Sequence, residues 1–127
     1  MGQQQLLLIV LGVIVVGIAV VVGINLFNAN ATASNRDAVI SDLNNLGAMA
    51  QQFYKKPASM GGGANTFTGW TIPTGLDTTA NGTYTATPSA NQVSIVGVGT
   101  ENGNDNSTPV KATATVTATA ITVAVNN

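Results

Sequence analysis

The chain is predicted to adopt an α+β fold: a long N-terminal α-helix, with an apolar spine and an amphipathic half, packed on a small antiparallel β-sheet head. Three observations predict it. Leu6 to Ile24 is an uninterrupted apolar run, and no charged side chain occurs before Arg36. From Arg36 the apolar positions recur at helical spacing. After Pro57, β-branched runs alternate with Gly, Pro and Asn turn signals. The expected organisation is a helical spine over residues 1–35, an amphipathic half-helix over 36–57 that packs on the head, and a β-rich head over 58–127.

The spine comes first. At about 1.5 Å of rise per residue its apolar run spans about 28 Å, close to one bilayer hydrocarbon core. Its Val and Ile content favours a strand in water. In apolar surroundings the backbone must satisfy its own hydrogen bonds, so helix wins. Gly12, Gly17 and Gly23 interrupt the run at spacings that miss the close-contact pattern of three intervening residues. They either allow close packing in a bundle or let the helix unwind under extension. The flank Met1-Gly2-Gln3-Gln4-Gln5 carries no Lys or Arg. It is therefore unlike both a secretory signal and an ordinary single-span anchor. Either a basic leader has been removed, leaving Met1 as the mature N-terminus, which is the favoured reading, or translation starts here.

Between Asn25 and Asn35 small and polar residues alternate, with modest helix propensity. The segment continues one long helix, or it breaks where Ser34 caps a second helix with Asp37 three residues on. Continuity is favoured. Beyond it, Val39, Leu43, Leu46, Ala50 and Phe53 mark one helical face and form the expected contact with the head. Asp37, Ser41, Asp42, Asn45, Gln52 and Lys55 lie on the other faces, and Lys55 and Lys56 suit the dipole at the helix end. An all-round apolar helix has no water-facing side, whereas an amphipathic one covers a core on one side.

The segment from Pro57 to Asn65, with three successive glycines, reads as a loop. Strands are expected at Thr66–Ile72, Gly82–Thr87, Gln92–Gly99 and Val110–Val125, with turns at Asn81-Gly82 and Asn102-Gly103. In the last segment Ala112, Ala114, Val116, Ala118 and Ala120 alternate with threonines before the apolar phase moves to Ile121, Val123 and Val125. Such a shift requires a bulge or short turn near Thr119–Ile121. A disulfide-free head of about 70 residues is marginal alone, so helix packing and neighbouring subunits are expected to complete its core.

Composition excludes several functions. Only 7% of residues are charged and the net charge is −1, so there is no basic face for nucleic acid. There is no His and no Cys, which removes the commonest nucleophiles, neutral-pH bases and zinc ligands. The chain is expected to be no enzyme, with no catalytic residues, cofactor or metal. Glu101 to Asp105 alternates hard oxygens, but Gly103 occupies a ligand position, so the segment reads as a hairpin turn. The aromatics Phe27, Phe53, Tyr54, Phe67, Trp70 and Tyr84 are too few and scattered for a conducting stack. Asn30, Asn81 and Asn106 open glycosylation acceptor patterns, as chance alone produces in so Asn- and Thr-rich a chain. Asn30 lies in the spine; Asn81 and Asn106, at turns, are the candidate glycosylation sites. O-linked sugar on the Thr-rich final strand is set against plain β-propensity.

This layout resembles the type IV pilin superfamily, which includes bacterial pilins, pseudopilins and archaeal pilins and archaellins. The resemblance runs along the whole chain: apolar half-helix, amphipathic continuation to Tyr54-Lys55-Lys56, glycine-rich loop, β-rich C-terminal domain. Many bacterial members begin with a methylated Phe or Met and carry glutamate at the fifth position. Met1 fits the first, and Gln5 replaces the acid. The proline of the apolar helix and the C-terminal disulfide loop of many bacterial pilins are missing here. Gln3, Gln4 and Gln5 are similar to the start of archaeal members, which often lack the acid.

The resemblance implies a structural subunit of an extracellular helical filament serving adhesion, motility or cell contact. Its partners would be identical subunits, the inner membrane before assembly, and a pilus assembly machinery. The implied filament-core side chains are Leu6, Leu7, Leu8, Ile9, Val10, Leu11, Val13, Ile14, Val15, Val16, Ile18, Val20, Val21, Val22, Ile24, Leu26 and Phe27, with Met1 and Gln5 docking the N-terminus. Physics supports the step: each large apolar side chain removed from water contributes about 1.5–3 kcal/mol, whether lipid or sibling helices cover it. The rivals are a pseudopilin of a secretion system and a single-span surface protein that never polymerises.

Overall fold

The computed structural model describes residues 2–127. The fold is α+β: one long helix, α1 (Gln3–Lys55), and a five-stranded antiparallel sheet against which the helix packs. The strands are β1 (Thr78–Thr79), β2 (Gly82–Pro88), β3 (Gln92–Asn102), β4 (Pro109–Thr117) and β5 (Ile121–Val125), each beside the next in that order. The chain divides into two units, the first ending at Ala31 and the second running Thr32–Asn127. The helix is unbroken through Asn25–Asn35, as continuity requires.

Within the second unit, α1 buries Asn35, Val39, Leu43, Leu46, Gly47 and Ala50, a stripe spaced at three and four residues. The sheet meets it with small residues. Gly97 and Gly99 of β3 and Ala112 and Ala114 of β4 are all buried. A Cβ on Gly97 would lie 2.9 Å from both Val39 Cγ1 and Tyr84 Cε1, and one on Gly47 would lie 3.0 Å from Ile121 Cδ1. Close approach of helix to sheet is what these glycines permit. Val93, Ile95 and Val116 complete the sheet side of the core.

The glycine loop terminates the helix. Gly63 N–H donates to Phe53 O (2.8 Å), Asn65 N–H to Tyr54 O (2.7 Å) and Ala64 N–H to Lys56 O (3.0 Å), so the last carbonyls are satisfied by a chain folded back on itself. Ala64 and Asn65 take left-handed conformations with φ of 50° and 67°. A side chain on Gly63 would strike Thr66 O and the Phe53 ring. A short 3-10 helix, Ala58–Met60, lies within this loop.

The strand expected at Thr66–Ile72 does not form. Trp70 N–H bonds back to Phe67 O at 3.0 Å and Gly69 has φ of 89°, so the segment turns instead of extending. Phe67 and Trp70 are both buried in the core, with the Phe67 ring 4.7 Å from that of Tyr54. The β-branched and aromatic composition favours a strand here, but rings three residues apart would point to opposite faces of one, and burial of both in the core decides the local shape. The short β1, absent from the expectation, pairs with β2 across Asn81.

The phase shift near Thr119–Ile121 is a turn. Thr117 N–H donates to Ala120 O at 2.8 Å and Val116 pairs with Ile121, so Ala112, Ala114 and Val116 share a face with Ile121, Val123 and Val125. The strand expected as Val110–Val125 is therefore the hairpin β4–β5.

Candidate functional site

All seventeen apolar side chains implied for assembly, Leu6 through Phe27, are at least 51% exposed, and Phe27 reaches 73%. The helix is long and apolar enough to cross a membrane, and none of its most apolar 18-residue window is buried. No ionisable side chain interrupts this surface. Gly12, Gly17 and Gly23 have open space where a Cβ would stand. Gln3, Gln4 and Gln5 are exposed at its start and Asn25, Asn28 and Asn30 at its end. Gln5 donates its backbone N–H to Gly2 O at 3.2 Å. Met1, the other residue implied for docking, lies outside the described residues. Chemically, such a surface offers apolar area and nothing else: it is suited to lipid or to copies of itself.

The second unit holds the amphipathic half of α1 by polar contacts as well as by the core. Val39, Leu43, Leu46 and Ala50 are fully or nearly buried, and Phe53 packs against them half-buried. One turn earlier, Asn35 occupies the same stripe. Its Oδ1 accepts the backbone N–H of Thr100 (3.0 Å) and of Glu101 (3.2 Å), and its Nδ2 donates to Asn81 O (2.9 Å) and Thr100 Oγ1 (3.3 Å). Between Val98 and Asn102 the β3–β4 register shifts, and the Asn35 carboxamide bonds the backbone of that irregular stretch. Gly99 leaves the room it needs, since a Cβ there would collide with Asn35 Oδ1. Nearby, Thr32 Oγ1 donates to Asn102 O and Arg36 Nη2 to Asn104 Oδ1, both at 2.8 Å.

Asp42 is the second polar centre. Its Oδ2 accepts from Tyr84 Oη (2.6 Å), Asn81 Nδ2 (3.1 Å) and Thr79 Oγ1 (3.3 Å), which ties α1 to β1 and β2. Burial, then the hydrogen bond to Asp42 and its negative charge, push the Tyr84 hydroxyl well above the usual phenol range. Asn81, a candidate glycosylation site, thus has its side-chain nitrogen committed to Asp42. Asn106, the other, is exposed in the β3–β4 loop with φ of 57°. Thr108 of its acceptor pattern is bonded to Asp105 and to Asn127 Nδ2. The bonds from Thr108 and from the Ser107 N–H hold the Asp105 carboxyl below the ordinary carboxylate range.

Two surface grooves accompany these centres. One, of about 360 Å³, is lined by Asp42, Leu46, Met49, Gln52, Leu76 and Thr79. The other, of about 410 Å³, is lined by Trp70, Ile72, Asp77, Tyr84, Ala86 and Pro88 among others. Each offers one carboxylate, and that of Asp42 already accepts three hydrogen bonds. Among the described residues no group of acids is placed to hold a metal ion.

Asn35, Asp42 and Tyr84 were not singled out by sequence reasoning. A signal existed for Asn35: stepping back four residues from Val39 along the buried stripe lands on it, a polar residue where a core residue belongs. Asp42 and Tyr84 carried no comparable mark, because their pairing is made only in three dimensions. Compared with protein families, curated proteins and solved structures, the chain shows no match.

Proposed function

We propose that the chain is a type IV pilin-like structural subunit, held in a membrane by its apolar helix before assembly and polymerising through that helix into an extracellular helical filament. One observation carries this reading: an apolar, charge-free helical surface exposed on every side, continuing as a helix whose next half is anchored to a β-sheet. Water cannot be its final surroundings. Lipid and a bundle of sibling helices are comparable apolar media, so a subunit can pass from one to the other with little net change in apolar burial. A charged group in the segment would obstruct the transfer, since one at the bilayer centre costs several kcal/mol. The use of such a filament is adhesion, motility or cell contact, with no reaction catalysed.

Electron microscopy of material sheared from cells, combined with mass spectrometry of the N-terminus, tests the reading. The expected result is sedimenting filaments composed of this chain, and the mass spectrum reads which residue is the N-terminus of the assembled subunit and whether it is methylated. Recovery of the chain solely as detergent-soluble monomers would refute polymerisation and leave a single-span surface protein. Short polymers confined beneath the surface would indicate a pseudopilin.

A further inference from the structure

The sheet ends on one side in β5, and this edge is bare. Hydrogen bonding to β4 uses alternate residues: Asn126 N–H donates to Lys111 O and Thr117 N–H to Ala120 O, each at 2.8 Å, with Ala124 opposite Thr113 and Thr122 opposite Thr115 between them. The antiparallel ladder therefore turns the N–H and C=O of Ile121, Val123 and Val125 away from β4. No hydrogen bond among the described residues reaches those groups. Edge strands are normally blunted by Lys, Pro or a bulge. The segment Ile121-Thr-Val-Ala-Val125 has none of these.

We propose that β5 is a docking edge for β5 of a second copy of this chain, paired antiparallel about a two-fold axis at Val123. The occupant follows from the edge itself. Outward-bonding residues must face outward-bonding residues, and the whole strand pairs only with Val123 opposite Val123 and Ile121 opposite Val125. That register sets branched apolar side chains side by side on the helix-facing surface, where Val125 is 46% exposed, and places Thr122 against Ala124 on the other face. The paired segment carries no charge to repel its copy. The opposite edge is a poorer partner: β1 is two residues long, and the stretch of β2 that it leaves uncovered, Thr85–Pro88, is only four residues and ends in a proline. A two-fold contact of this kind does not recur along the screw axis of a polar filament, so in the filament reading it joins neighbouring filaments side by side. The dimer itself does not depend on that reading.

The test uses the full chain in detergent, with micelles in excess over protein. The chain contains no Cys, so an introduced one is unique. Val123→Cys should form an oxidative dimer roughly tenfold faster than Thr85→Cys on β2, and adding Val125→Lys should slow it roughly tenfold. Trp70 fluorescence reports that each variant is folded; if Val123→Cys is not, mixed Thr122→Cys and Ala124→Cys chains replace it. Equal rates at positions 123 and 85, or rates insensitive to Val125→Lys, would overturn the pairing. Single, unbundled filaments from a chain that fails this test would overturn the edge contact and leave the polymer intact.

Discussion

Replacing Asn35 with alanine removes a partner from two backbone donors and one backbone acceptor at once. Thr100 N–H and Glu101 N–H lose Oδ1, and Asn81 O loses Nδ2. A typical intramolecular hydrogen bond contributes about 1 kcal/mol net, and a buried group left without a partner costs about 1–3 kcal/mol. Thr100 and Glu101 are exposed residues, so water replaces part of what is lost. The expected destabilisation is therefore about 2–4 kcal/mol, well above the effect of an ordinary surface substitution. For a domain of this size each kcal/mol moves the melting temperature by about 4–8 °C, so a fall of about 10 °C or more is expected. Trp70 is the single tryptophan and is 5% exposed, which makes its fluorescence a direct reporter of the fold in the full chain in detergent. Asn35→Asp keeps an acceptor for the two N–H groups and should lie between alanine and wild type. Asn28→Ala, at an exposed helix position, is the control. A fall of less than about 3 °C for Asn35→Ala would refute the assignment of Asn35 as the clamp between helix and sheet.

Two further outcomes follow from the sequence and the structure. Gln5 has no ionised group to offer a neighbour's terminal ammonium, so charge plays a weaker part in docking and Gln5→Glu should leave filament assembly intact or improve it; loss of sedimentable polymer would count against that weaker role for charge. The Tyr84 hydroxyl has its pKa raised by folding, so its contribution to stability is complete below the ordinary phenol value and is lost as pH climbs from there towards the folded-state value. Stability of the wild-type chain should thus fall on the alkaline side of about pH 10, and Tyr84→Phe should be less stable at neutral pH yet flatter across that range. Parallel alkaline curves for the two proteins would contradict the Asp42–Tyr84 account.

The long helix and most of the sheet were readable because their causes are local. An uncharged apolar run has one way to satisfy its backbone away from water, and Val39, Leu43 and Leu46 repeat at the helical period whatever they touch. The phase change before Ile121 similarly demanded an interruption, although a bulge and a turn leave the same trace in sequence. Thr66–Ile72 misled because its β-branched and aromatic residues favour a strand by composition, whereas Phe67 and Trp70, three residues apart, reach the same core only from a turn.

The amino-acid order alone determined that Leu6 to Ile24 form a charge-free apolar helix, that the helix turns amphipathic after Arg36, and that the remainder is β-rich. Tertiary structure decided the rest: Asn35 as the clamp at a register shift, Asp42 as the acceptor shared by three partners, and a bare strand edge at Ile121–Val125. The division has a physical reason. Periodicity and hydropathy are properties of neighbouring residues, whereas a hydrogen bond between Asn35 and Thr100 exists only once the helix and sheet have been brought together.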